Sequence, residues 1–280
     1  MSVGSECVFV CGQWRRHEPS NQESCRFAVT MAGRIGAFVE LMRPKNLALA
    51  AATVPLGAYF ATMERVEPFP LSAVLCHTVA VVFFTGAGNT MNDIKDAELD
   101  QTAHPQRPIP SNRISLEQAR LFSAILWLLS VLLHIAGLVL VEPDIRLLVS
   151  CVTIYVLAVV LMVSYDHGPA TKNKGLLGNV VISLLVGAVI LYGASAVGGI
   201  TEPLVWWIFG VVFLTNLSRE MVKDCMDMEA DIGSRTTLPM KYGKEKVQVL
   251  EDNTKTLTAQ LESLVSALTP RIEEVQRRII

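Results

Sequence analysis

Two short acidic stretches carry most of the chemistry this chain can offer. Asn92-Asp93-Ile94-Lys95-Asp96-Ala97-Glu98-Leu99-Asp100 spaces three carboxylates, Asp93, Asp96 and Asp100, at i, i+3 and i+7. On a helix these fall within about 60° of one another. The stretch Asp224-Cys225-Met226-Asp227-Met228-Glu229-Ala230-Asp231 repeats the spacing with Asp224, Asp227 and Asp231, each 131 residues after its counterpart. Like charges on one face repel unless cations neutralise them. Clustered hard oxygen ligands suit Mg²⁺, which binds through one or two carboxylates plus substrate phosphates. One such cluster is as easily a solvated helix end; a matched pair points to metal ions bridging a diphosphate. Arg107, Arg113, Lys172, Lys174, Arg219 and Lys223 lie on the same side of the chain's hydrophobic layout. Each alone reads as a membrane-surface anchor, but together they can clamp phosphate oxygens, Arg by a two-pronged fork and Lys as a point charge.

The elements that must position these residues follow from hydropathy. The 280 residues are 51% hydrophobic and only 18% charged, against roughly 25% in soluble domains. A mean hydropathy of +0.41 places the apolar excess against lipid. The net charge of −2 offers no basic face for nucleic acid. Between Leu121 and Ser218 the only charges are Glu142, Asp144, Arg146, Asp166, Lys172, Lys174 and Glu202. The uncharged runs Leu47–Met63, Pro68–Asn92, Leu121–Val141, Leu147–Tyr165, Gly175–Thr201 and Pro203–Ser218 are mostly near the ~20 residues that cross a bilayer. They predict an all-α, polytopic bundle of about six transmembrane helices, because a helix in lipid satisfies its own backbone and the runs lack a barrel's alternation. Positive charge gathers ahead of the first span, in the second-to-third and fourth-to-fifth connections, and after the sixth span. The positive-inside rule therefore predicts a multi-pass protein of the cell membrane with both termini and both acidic stretches at the cytoplasmic face.

Other features read more simply. Cys7, Cys11, Cys25, Cys76, Cys151 and Cys225 show no paired metal-ligand spacing and read as free thiols. His77 and His134 fall inside apolar runs and read as hydrogen-bonded packing residues, the methionines as filler, and Trp206 and Trp207 as interface anchors. Residues 1–33 read as a disordered N-terminal extension or upstream start without an evident cleavable signal. The glycines and alanines of Ala48–Ala52 and Gly187–Gly193 read as close helix packing before a lining for an apolar tail.

With these residues in view, the chain resembles the UbiA superfamily of intramembrane prenyltransferases. Asn92-Asp93-x-x-Asp96-x-x-x-Asp100 is similar to its first aspartate-rich motif and Asp224–Asp231 to its second. Arg43-Pro44-Lys45-Asn46, Arg107-Pro108-Ile109-Pro110, and Tyr165 followed by Lys172-x-Lys174-Gly175-Leu176-Leu177-Gly178-Asn179 extend the match, which runs from about Arg34 to Lys246. Arg219 through Asp224, continuing to Thr237-Leu238-Pro239, is most similar to the archaeal digeranylgeranylglyceryl phosphate synthases. The resemblance implies Mg²⁺-dependent transfer of a geranylgeranyl group from geranylgeranyl diphosphate to geranylgeranylglyceryl phosphate, a step of archaeal ether-lipid synthesis. It implies Asn92, Asp93, Asp96, Asp100, Asp224, Asp227 and Asp231 as metal ligands, the six aspartates being catalytic. Arg43, Asn46, Asn92, Arg107, Tyr165, Lys172, Lys174, Arg219 and Lys223 are then the substrate-binding set. Tyr165 is also open to a place in an interfacial aromatic belt. Two other readings stand beside this one: prenyl transfer to an aromatic acceptor of quinone synthesis, and an inactive partial enzyme acting as a membrane scaffold.

The family resemblance also implies nine spans around a central cavity, whereas residues 247–280 are polar. Leu257, Leu261, Leu264 and Leu268, then Thr269-Pro270, then Ile272, Val275 and Ile279 predict a soluble pair of amphipathic helices broken at Thr269-Pro270. The expected organisation is an extension over 1–33, a prenyltransferase domain over 34–246 and a helical tail over 247–280. Six spans alone would leave the cavity open to lipid, with a homo-oligomer through the leucine stripe as the expected way to close it.

Overall fold

A computed structural model describes residues 33–63, 65, 69–142, 144–167, 169–226 and 237–279. Among them there is no strand. The elements are α1 (33–42), α2 (Pro44–Thr62), α3 (Leu71–Lys95), α4 (Ala97–Ala103), α5 (Leu116–Val139), α6 (Ile145–Asp166), α7 (Leu176–Ser195), α8 (Pro203–Met226), α9 (Leu238–Tyr242) and α10 (Lys244–Ile279). Each uncharged run of the sequence becomes one helix. Four of them, α3, α5, α6 and α7, are long and apolar enough to cross a membrane. The helices α2 and α8 cover the other two runs, with 19 and 24 residues, α8 continuing past Ser218. They dilute their apolar surface, α8 by carrying Arg219, Glu220, Lys223 and Asp224 in its last two turns.

Local chemistry sets the helix starts. Ser115 accepts from the Gln118 amide while the Gln118 side chain accepts from the Ser115 amide, a capping box that opens α5. Asp144 caps α6 by accepting from the Arg146 amide at 2.9 Å. Pro44 begins α2, where a missing amide proton costs nothing.

Packing separates central helices from lipid-facing ones. More than half of the apolar windows of α3 and α7 is buried, against 28% for α5 and 17% for α6. Val139 and Leu121 of α5, and Val156, Leu157 and Val160 of α6, stand exposed on the outside, which suits a lipid solvent and no other. The helices α2 and α7 cross at backbone contact. A Cβ on Gly57 would sit 2.3 Å from the Ile190 carbonyl oxygen, and one on Gly193 only 2.1 Å from that of Val54. Gly193 of the Gly187–Gly193 stretch thus lies in a packing seam with α2, as expected of small residues between membrane helices, whereas Ala48 and Ala52 are exposed.

The tail departs from expectation in one respect. The helix α10 runs unbroken from Lys244 to Ile279 with Pro270 inside it. A proline in a helix removes a single hydrogen bond, to the carbonyl four residues back, and this chain tolerates that loss without ending the helix. The helix doubles back along α8: Val247 packs with Met221, and Leu261 reaches Gly210. Glu251, Thr254 and Thr258 are buried on α10, whereas Leu250, Leu257 and Leu264 are exposed.

Candidate active site

The first acidic stretch straddles the junction of α3 and α4. The sequence predicts one continuous helix there, but Asp96 leaves helical geometry at φ −92° and ψ 8°. The hydrogen-bond ladder nonetheless continues, from the Asp96 amide to the Asn92 carbonyl at 2.9 Å and from the Asp100 amide to the Asp96 carbonyl at 2.8 Å. The three carboxylates therefore keep a common face. Asp93 and Asp100 are buried at 4% and 3% exposure, so their charges require partners.

Those partners come from three distant segments. Arg43, between α1 and α2, donates to Asn92 Oδ1 at 3.1 Å and to Asp93 Oδ1 at 2.5 Å. Its backbone sits in the left-handed region at φ 57° and ψ 77°, a conformation that costs a non-glycine residue about 1–3 kcal/mol and collects at functional sites. Arg107 donates to Asp100 Oδ2 at 2.6 Å and lies 3.6 Å from Asp93 Oδ1. Lys172, in the turn before α7, bridges Asp96 Oδ1 at 2.7 Å and Asp166 Oδ1 at 2.9 Å. Asp166 in turn accepts from Asn92 Nδ2 at 3.0 Å. Seven of the expected residues, Arg43, Asn92, Asp93, Asp96, Asp100, Arg107 and Lys172, thus meet in one network.

Asp166 is a residue that sequence reading missed, at 1% exposure and in contact with both Asn92 and Lys172. The signal was available: it is the lone acid between Asp144 and Glu202 and ends an apolar run, and acids at a membrane edge are functional candidates. Tyr165 beside it is half-buried. Asn46 and Lys174 are exposed near the same end. Arg113 forms a two-pronged pair with Glu40 at 2.7 and 3.1 Å, tying the α4–α5 connection to α1.

The second stretch is partly in view. The sequence places it after the sixth span, whereas α8 extends beyond Ser218 and still holds Asp224. Asp224 is buried and accepts from Asn179 Nδ2 at 2.9 Å. Asp227 and Asp231 lie outside the described residues. Arg219 pairs with Glu220 at 2.8 Å, and Lys223 lies 3.8 Å from the same carboxylate. Beside Asp224, burial and then the charges of Glu251 and Asp224 push the Cys225 thiol up, which keeps it protonated. The turn carrying Lys172 joins the two stretches: a Cβ on Gly178 would meet the Thr171 carbonyl oxygen at 2.8 Å and Lys172 Cα at 3.0 Å, one residue before Asn179.

The donor chemistry fits a hard divalent cation. Each basic contact above takes one oxygen of its carboxylate, Oδ1 of Asp93, Oδ1 of Asp96 and Oδ2 of Asp100. The second oxygen of each accepts no side-chain hydrogen bond from Arg43, Lys172 or Arg107. Three carboxylates and the Asn92 amide oxygen are a hard-oxygen set suited to Mg²⁺. Three cations already at hand are placed to meet a polyanionic ligand.

Comparison with known proteins settles the family, since the UbiA prenyltransferase family matches residues 47–268. The chain belongs to the UbiA prenyltransferase family. As a UbiA member it is an intramembrane prenyltransferase built as a helical bundle. It is 39% identical over 209 residues, 74% of this chain and 70% of the relative, to digeranylgeranylglyceryl phosphate synthase of Methanopyrus kandleri. It is 32% identical over 218 residues to that of Methanoculleus marisnigri, covering 77% and 71%. A solved digeranylgeranylglyceryl phosphate synthase in membranes superposes with a TM-score of 0.64 at 29% identity, over 84% of this chain and 78% of the other. A UbiA homologue from Archaeoglobus fulgidus bound to DMAPP and Mg²⁺ shares the fold, with a TM-score of 0.61 at 14% identity, covering 86% and 85%.

Proposed function

We propose that this UbiA member transfers a geranylgeranyl group from geranylgeranyl diphosphate to the free hydroxyl of geranylgeranylglyceryl phosphate, in archaeal ether-lipid synthesis at the cytoplasmic face of the cell membrane. The observation that carries the reading is the partly buried network of Asp93, Asp96 and Asp100 with Arg43, Arg107 and Lys172, in a chain 39% identical to such a synthase. Asn92, Asp93, Asp96 and Asp100, together with Asp224, Asp227 and Asp231, are the residues that would hold Mg²⁺. When bound, the metal supplies positive charge that stabilises the departing diphosphate. Arg43, Arg107 and Lys172 exchange carboxylate partners for phosphate oxygens, so the cost of burying their charge is met in both states. Lys174, Arg219 and Lys223 add positive potential at the mouth, and Asn46 and Tyr165 line it. The apolar interior behind the acids excludes water from the allylic cation, which the acceptor oxygen then captures as it forms the new carbon–oxygen bond and loses its proton.

The test is transfer of labelled geranylgeranyl by purified protein in liposomes, with geranylgeranylglyceryl phosphate and 4-hydroxybenzoate offered in parallel. Label is expected on the glyceryl phosphate ether alone, lost in EDTA and restored by Mg²⁺. Label on the aromatic acceptor, or full activity in EDTA, counts against the proposal.

A further inference from the structure

At the end of the bundle remote from the aspartates, four helices bring together side chains that the transfer reaction does not use. His77 of α3, His134 of α5 and Cys151 of α6 are buried, with ligand atoms all within 4.8 Å of one another. Tyr192 of α7 is buried among them, its hydroxyl 2.8 Å from His77 Nδ1 and 2.7 Å from His134 Nδ1. Along α3, His77 precedes Asp93 by 16 residues, about 24 Å of helix. His77 Nε2 is buried with no hydrogen-bond partner and faces Gly137 of α5, where a Cβ would lie 2.6 Å from it, so Nδ1 is the atom this histidine turns to the cluster.

We infer that His77, His134, Cys151 and Tyr192 bind one Zn²⁺-type transition-metal ion that clamps α3, α5, α6 and α7 together. Two imidazole nitrogens and a sulfur are borderline-to-soft donors, which select zinc-like ions and not Mg²⁺, and the phenolic oxygen completes the set as a hard fourth donor. Four protein donors make a closed, structural site. Tetrahedral bonds of about 2.0–2.3 Å require ligand atoms roughly 3.3–3.6 Å apart. To reach that, the ligand triangle, now within 4.8 Å, contracts and the Tyr192 oxygen backs away from the two Nδ1 atoms at 2.8 and 2.7 Å. Charge decides the matter at this depth. With Cys151 as thiolate and Tyr192 as phenolate, a divalent ion gives a neutral site, the condition for burying it among apolar helices. Binding releases two protons.

Acidic groups stand at the same end. A cavity of ≈530 Å³ is lined by Glu142, Asp144, Arg65, Leu147 and Val197 among others. Leu147 is one turn before Cys151, and Val197 follows Tyr192 by five residues. Its two carboxylates outnumber the single guanidinium, which is engaged by the carbonyls of Val197 and Gly198 at 2.6 and 3.0 Å.

The experiment adds Co²⁺ alone to the EDTA-stripped full chain in detergent. Expected are tetrahedral ligand-field bands and a thiolate-to-cobalt charge-transfer band saturating at one ion per chain, with two protons released in weak buffer and displacement by Zn²⁺. Cys151→Ser abolishes the charge-transfer band, and replacing the five other cysteines by alanine retains it. Asp96→Ala also retains it, which separates this site from the acidic one. No thiolate band in the unaltered chain, a band that survives Cys151→Ser, or release of one proton instead of two overturns the four-ligand site. Should Cys151→Ser fail to fold, the unaltered chain and the five-cysteine variant still decide the question.

Discussion

Replacing Asp166 by asparagine removes one negative charge from the centre of the cationic network while keeping its shape. At 2.9 Å from Lys172, the attraction is about 6 kcal/mol with an effective dielectric constant near 20. Several kcal/mol of that returns because a carboxylate at 1% exposure no longer has to be buried. The asparagine oxygen still accepts from Asn92 or Lys172. The net loss is then about 1–3 kcal/mol, concentrated on Lys172, which retains Asp96 at 2.7 Å. Because Asp166 itself makes no contact with donor in the proposed reaction, its effect passes through the placing of Lys172 and Asn92. Steady-state transfer with varied geranylgeranyl diphosphate should show KM for the donor rising ~10-fold, at about 1.4 kcal/mol per decade, with acceptor KM little changed. Asp166→Leu should lose more, since it leaves Asn92 Nδ2 without its acceptor. Unchanged donor KM in both variants, with unchanged melting temperature, would refute the positioning role and with it the placing of Lys172 on the donor.

Two further outcomes separate site from scaffold. Arg107→Gln removes the 2.6 Å contact to Asp100 and should weaken donor binding ~10-fold, whereas Lys223→Gln, 3.8 Å from Glu220 at an exposed position, should weaken it less; equal losses by calorimetry in detergent would contradict that ranking. Gly193→Ala sets a methyl 2.1 Å from the Val54 carbonyl oxygen and should destabilise the bundle by about 1–3 kcal/mol, read as a lower melting temperature than Gly33→Ala, where nothing lies within 4 Å.

Much of this protein is legible in its sequence because lipid imposes few solutions. Runs of uncharged residues near bilayer length have to be helices, and the helices α2, α3, α5, α6, α7 and α8 appear where those runs lie. The acidic motifs are equally plain, since the i, i+3, i+7 spacing is a local property of helix geometry that survives even the kink at Asp96. Ion-pair partners are not local. That Arg43 meets Asp93, that Lys172 meets Asp96, and that Arg113 goes instead to Glu40 depends on how segments 50 to 76 residues apart pack. Asp224 finding Asn179 is of the same kind.

The tail shows the opposite limit: a proline read as a stop sits inside one long helix, losing only the one hydrogen bond that its missing amide proton would have made. The cysteines show it most sharply. Spacing along the chain gives Cys151 no ligand partners, since a motif can only register residues on one segment. His77, His134, Cys151 and Tyr192 lie on four helices, and only their packing brings them within reach of a single ion.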